Sequence, residues 1–174
     1  GDAALSHEAG TPYVDAGATG SDFEDGVVTV QTVGSINENI LGPQELTYTA
    51  KDSSSNFAEE VTRIVTVVDT IPPVISLISL TPLFHEVDTD FVDPGATSLD
   101  SFDGDVSVEV SGRVNPNVTG DYFLTYTSED FSGNPATSVE LVVTVRDKVL
   151  PVITLNGETP MPWEAGVPFA EPGA

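Results

Sequence analysis

The chain has 174 residues, with 28 acidic side chains against 5 basic ones, a formal charge of -23, 15 glycines, 13 prolines and no cysteine. Such a charge excludes nucleic acid and anionic membrane surfaces as partners, because both need Lys and Arg to meet phosphate, and the missing cysteine excludes disulfides and thiolate metal sites. The longest apolar run, Ile71–Leu80, contains Pro72 and Pro73 and falls far short of the roughly 20 residues of a membrane-spanning helix, while 39% hydrophobic residues are too many for a solvated coil.

Self-similarity organises the chain. Tyr13–Thr19 (YVDAGAT) returns as Phe91–Thr97 (FVDPGAT) and again as Phe169–Ala174 (FAEPGA), each time 78 residues on. Residues 1–78 set against 79–156 without gaps give 35 identities in 78 positions, among them Leu46/Leu124, Asp52/Asp130 and Asn56/Asn134. Proline linkers, Asp69–Pro73 and Asp147–Pro151, mark the unit boundaries. The expected organisation is a first repeat over 1–70 that lacks its first strand, a complete second repeat over 71–148, and the N-terminal fragment of a third over 149–174.

Taken in order, the elements have a period of two. In the second repeat Val74–Leu77 and Leu83–Val87 read as halves of one split strand. Val106, Val108 and Val110 then alternate with polar residues, as do Leu124 and Tyr126, and Val139, Leu141, Val143 and Val145. Asp103-Gly104, Ser111-Gly112, Asn115–Asn117 and Ser132–Asn134 read as turns between strands, and no stretch keeps a helical stripe. The fold class is all-β: tandem Ig-like β-sandwich repeats of 78 residues. A unit this small buries little core, so a further staple is expected.

The order PPVISL (Pro72–Leu77), FVDPGAT (Phe91–Thr97), DSFDGD (Asp100–Asp105), GDYFLTYTSEDFSGN (Gly120–Asn134) and a last strand closing on Val145-Arg146-Asp147 resembles bacterial cell-surface Ig-like repeats related to the hyalin-repeat family, with a cadherin-like plan. The resemblance spans the whole chain. It implies tandem arrays on secreted or surface-anchored proteins in structural or adhesive roles, with neighbouring repeats as the first partners. It also implies that Tyr122 is the tyrosine of a corner motif. The first repeat departs from the second in carrying Gln44 for Tyr122 and Val27 for Asp105, so the corner bond is not carried over to it.

Catalysis has little support in these residues. His7 and His85 share one repeat position with Trp163, which suits a flat structural ring better than a base, and no phosphate loop or nucleophile elbow occurs. Calcium is the sharper expectation, because hard cations take six to eight oxygens from acidic turns. The second repeat offers Asp100, Asp103, Asp105, Asp130 and Asn134, with Asp69 arriving from the linker; the first offers Asp22, Glu24, Asp25, Asp52 and Asn56. Asp52–Asn56 opens like an EF-hand loop, but Phe57 and Arg63 stand where Gly and Glu are required, so an EF-hand is rejected. If the repeats join end to end, Asp69, Asp100, Asp103, Asp105, Asp130 and Asn134 meet at the junction; the competing reading is that Asp, Asn and Gly simply make turns.

The expected function is a non-enzymatic spacer of an extracellular surface protein, stiffened by calcium. The alternative is a polymerising subunit of a filament or surface layer, in which Val152–Leu155 fills the first repeat's vacant edge in a neighbouring molecule; the ends of the chain otherwise bound a window of a longer protein. A carbohydrate-binding module comes third, since the 13 aromatic residues form no exposed row. Asn117-Val-Thr119 is a lone glycosylation sequon at a turn.

Overall fold

The computed structural model of the chain describes residues 2–156 and 162–170. The described residues form strands and no helix: β1 (Ala4–Glu8), β2 (Gly20–Asp22), β3 (Gly26–Val28), β4 (Val30–Val33), β5 (Gly42–Ala50) and β6 (Val61–Val68) in the first repeat, then β7 (Val74–Leu77), β8 (Leu83–Glu86), β9 (Ala96–Asp100), β10 (Gly104–Val106), β11 (Val108–Gly112), β12 (Gly120–Ser128) and β13 (Val139–Arg146) in the second. The alternation seen in the sequence sets the faces: Leu124, Tyr126, Leu141, Val143 and Val145 point inward and are buried, while Thr127 and Glu140 face water.

Two sheets build the second repeat. One has the order β11–β12–β13–β8, with β8 parallel to β13 and the other pairs antiparallel; the other has the order β10–β9–β7. Ile75 and Leu77 of β7 pack on Leu124, Tyr126 and Leu141 of the facing sheet. Because β7 belongs to one sheet and β8 to the other, the opening strand is split between them, as the spacing predicts. The first repeat repeats the larger sheet as β1–β6–β5–β4, again with its first strand parallel, and adds the hairpin β2–β3. Among the described residues nothing pairs with the second edge of β2, where β7 pairs with β9 in the second repeat.

Three expectations change. Val106–Val110 is not one strand: Val106 pairs with Ser98 in one sheet and Val108 with Ser128 in the other, so the chain changes sheet at Ser107, whose carbonyl accepts the Ser128 hydroxyl at 2.8 Å. Ser111-Gly112 is not a turn but the end of β11, opposite Leu124. Gly112 is required there, with a φ of +101 and the Phe123 carbonyl oxygen 2.2 Å from where a Cβ would stand. Finally, Val152–Leu155 forms no strand. Its counterpart β7 is held by β9, and the counterpart of β9 would begin only at residue 174. The third motif copy, from Glu171 onward, lies outside the described residues.

The repeated VDxGAT motif ties a loop to the core. Asp93 accepts the hydroxyl of buried Tyr126 and the Gly95 amide, and Asp15 accepts the Tyr48 hydroxyl at 2.7 Å. Burial, then the bond to Asp15, pushes the Tyr48 hydroxyl up to about 12, and burial with Asp93 pushes Tyr126 up as well. Arg63 stands where the second repeat has Leu141. Its guanidinium pairs with Asp15 and donates to the Gly17 carbonyl, and its Nε donates to the Asp2 carbonyl. In the second repeat the equivalent Gly95 carbonyl is satisfied instead by the Ile78 amide, just past β7.

Candidate metal centre at the repeat junction

Both poles are built from the same turn chemistry. In the second repeat Asp100 Oδ1 accepts the Phe102 and Asp103 amides, Asp103 Oδ2 accepts the Phe131 amide, and Asp130 accepts the Asn134 amide and side chain. In the first, Asp22 Oδ1 accepts the Glu24 and Asp25 amides, Asp25 accepts the Ser53 amide and hydroxyl, and Asp52 accepts the Asn56 amide and side chain. Asp22, Asp52, Asp100 and Asp130 each cap their own turn, while Asp25 and Asp103 each tie that turn to the second one, 28 residues on. These bonds account for every acid of the first pole except Glu24, which is exposed.

The second pole adds Asp69. This residue follows β6, and its carbonyl accepts the Asn134 side-chain amide at 3.1 Å. Around it the junction is tied by the Thr70 amide and hydroxyl donating to Glu8, and by the Phe102 ring 3.6 Å from the Cβ position of Gly10. Asp69, Asp103 and Asp130 each present a carboxylate oxygen within 4.8 Å of the others. Asp69, Asp100 and Asp130 are only 7%, 4% and 5% exposed, and Asp69 Oδ2 and Asp100 Oδ2 are buried without a hydrogen-bond partner.

Electrostatics divide the acids. Burial raises the Asp69 carboxyl above its usual 3.8, the charges of Asp100 and Asp130 add to the rise, and the Ile71 amide and Ser132 oppose it. Burial also disfavours ionised Asp130, but the amides of Asn134, Ser132 and Gly133 and the Asn134 side chain outweigh it and hold that carboxyl low. The donor set is all oxygen and strongly anionic, with two buried oxygens in want of a positive partner. That is the chemistry of a hard divalent cation rather than of a thiolate or imidazole metal.

Of the residues expected at this junction, Asp69, Asp103 and Asp130 converge, Asp100 lies close enough to repel Asp69, and Asn134 fastens Asp130 to the linker. Asp105 is exposed on β10 opposite Leu99 and does not join the converging three. At the first pole Asp22, Asp25, Asp52 and Asn56 share turns but do not form such a group.

The ring position is occupied in the same way three times. His7 Nε2 lies 2.8 Å from the Thr11 carbonyl, His85 Nε2 lies 3.1 Å from that of Thr89, and the Trp163 indole donates to that of Val167 at 3.0 Å. Each ring also meets an aromatic neighbour edge-on: Tyr13, Phe91 and Phe169 respectively. The sequence pointed to the flat ring and missed the shared N–H. The Tyr122 hydroxyl donates to the Val118 carbonyl, forming the corner, while Gln44 Nε2 donates to the equivalent Ile40 carbonyl and to that of Asn37. The first repeat thus replaces the tyrosine instead of losing the bond.

Two Ig-like sandwiches in tandem, joined through an acidic pole, place the chain in the class of modular surface repeats. The family described as bacterial surface protein, Ig-like domain, matches residues 1–67 and again 76–145, and the chain belongs to it. No curated protein matches. Among solved structures, the chain is similar to the fibronectin(III)-like modules of CbhA from Clostridium thermocellum, with 17% identity and a TM-score of 0.36 over 89% of this chain and 96% of that one. It is similar to the EC1-2 segment of human protocadherin-24, with 12% identity and a TM-score of 0.40 over 84% and 95%. A lipoprotein from Bacteroides thetaiotaomicron matches with 23% identity and a TM-score of 0.39, covering 45% of this chain and 40% of that one. No helix among the described residues is long and apolar enough to cross a membrane.

Proposed function

We propose that this chain is a non-enzymatic spacer segment of an extracellular surface protein, with rigid units over 1–70 and 71–148 and a third unit beginning at 149, locked end to end by calcium at the junction of the first two. The observation that carries this reading is the pair of buried, partnerless oxygens, Asp69 Oδ2 and Asp100 Oδ2, beside the converging carboxylates of Asp69, Asp103 and Asp130. Bonds within and between the turns explain the acids of the first pole, but such bonds leave these oxygens unexplained. A cation here would be held by the linker, the end of β9, the β9–β10 turn and the turn after β12 at once, so binding it fixes the angle between repeats. Its charge is what the cluster lacks.

The test is a calcium isotherm with paired thermal melts in calcium and in chelator at equal ionic strength. A ligand bound only by the folded state adds about 2.7 kcal/mol at a hundredfold excess over Kd, so a rise of several degrees is expected. Asp69→Asn and Asp100→Asn should abolish it, and Asp22→Asn should not. An identical melt with and without calcium would refute the reading.

A further inference from the structure

The linker between the repeats is held from two sides. Towards the first repeat, the Ala9 amide donates to the Val68 carbonyl at 2.8 Å, and the Thr70 amide and hydroxyl donate to Glu8. Towards the second, the Asn134 side chain reaches the Asp69 carbonyl at 3.1 Å. Phe102 meets Gly10 across the junction, a contact too small to fix the angle between two units by itself.

Asn134 directs its two amide protons at different partners. One goes to Asp130 Oδ2 at 2.7 Å and the other to the Asp69 carbonyl. Both partners are oxygens without a hydrogen, so the side chain has to present its NH2 and meets the acidic cluster as a donor, not as a ligand. Its backbone amide also holds Asp130 Oδ1 at 2.7 Å. Asn56 makes the same two bonds to Asp52, but the third bond, to the linker, belongs to Asn134. A cation shared by Asp69, Asp103 and Asp130 would hold Asp69 by its carboxylate. One point of attachment is a pivot, about which a linker residue still turns. A second point, on the main chain of the same residue, removes that freedom.

We propose that Asn134 is a positioning residue that couples cation occupancy to the angle between the repeats. It orients Asp130 for the cation and, through the same NH2, anchors the main chain of the linker. The inference rests on the calcium reading of the junction and adds a separate role, transmission, which can fail while binding holds.

With no cysteine of its own, the chain takes spin labels only where cysteine is introduced. Glu45→Cys and Glu140→Cys, at exposed strand positions in the first and second repeats, allow distances to be measured across the junction by double electron–electron resonance, beside a calcium isotherm of each variant. In the labelled chain calcium should narrow the distance distribution and chelator should broaden it. Asn134→Ala should weaken calcium binding about tenfold, the scale of losing a group that orients a ligand, and its distribution should stay broad even at saturating calcium. Asn134→Ser, too short to span both partners, should behave alike and stands in if the alanine variant does not fold. Asn56→Ala, which removes the matching bonds at the first pole, should leave both readouts unchanged. A narrow distribution for calcium-saturated Asn134→Ala overturns the inference and leaves the calcium reading standing. So does a distribution that calcium leaves broad in the labelled chain, or an Asn134→Ala that binds no calcium at all, which would place Asn134 among the ligands. A flat isotherm for the labelled chain itself overturns the calcium reading and this inference with it.

Discussion

An imidazole and an indole share a flat ring and an N–H, and the position of His7, His85 and Trp163 uses both: the ring meets an aromatic neighbour edge-on and the N–H holds a carbonyl four residues on. The two parts can be separated. His85→Phe keeps the ring contact with Phe91 and drops the bond, so we expect a loss of about 1 kcal/mol. His85→Ala drops both and should cost about 2 kcal/mol. His85→Trp should be the mildest, since Trp163 already serves the same geometry. Urea denaturation of the three variants checks the order, and a harmless His85→Phe would mean the N–H contributes nothing. The ring was legible because three copies share it. Its carbonyl was not, because the partner is set by the shape of the following turn and backbone atoms carry no letter in a sequence. Gln44 shows the same blindness from the other side: its amide reaches the carbonyl that a tyrosine hydroxyl reaches in the second repeat, so a change of residue type hid a kept bond.

Between repeats the elements differ where Arg63 faces the space that β7 fills beside Leu141. Arg63 owes its burial to Asp15 and to the carbonyls of Gly17 and Asp2. Arg63→Leu strips those groups of their donor while Asp15 keeps some access to water, and we expect a loss of about 1–3 kcal/mol. Leu141→Arg forces a guanidinium against Ile75, where β7 leaves no room, and should cost about 3 kcal/mol or more. Chemical denaturation of both variants tests the asymmetry; equal costs would mean the open groove is not what accommodates Arg63. The split strand was legible because Leu83–Val87 follows Val74–Leu77 through Thr81-Pro82 with no turn signal that would reverse the chain. The sheet change at Ser107 was not, because Val106, Val108 and Val110 keep a period of two straight through it, and alternation records which face is buried but not in which sheet.

At the scale of the whole molecule the question is what a chain of charge -23 gains by bringing acids together at a junction. The repeat offset showed which acids recur, and the end-to-end argument brought Asp69 to the pole of the second repeat. Asp105 was misplaced because neighbouring positions on a strand point to opposite faces, and the sequence alone does not say which face meets the linker.

The pH dependence of that junction gives the sharpest test. Asp69 has its carboxyl raised in the fold, so the folded chain binds the proton more tightly than the unfolded one, and its contribution falls as pH rises from the ordinary 3.8 through the folded value. Asp130 acts with the opposite sign: its carboxyl is lowered, so its contribution is present above 3.8 and is lost as pH falls through the lower folded value. Without calcium, at neutral pH, ionised Asp69 is therefore a net cost, and Asp69→Asn should leave the melting temperature unchanged or raise it. With calcium the same substitution should lower it, because the cation needs the carboxylate that the proton would take. In the unsubstituted chain the melting increment given by calcium should be full at neutral pH and shrink as pH falls towards the raised value of Asp69, ahead of any loss from Asp130. Scanning calorimetry of both chains across that range, with calcium and with chelator, checks the sign change; Asp69→Asn that destabilises equally in both would reduce Asp69 to an ordinary turn residue.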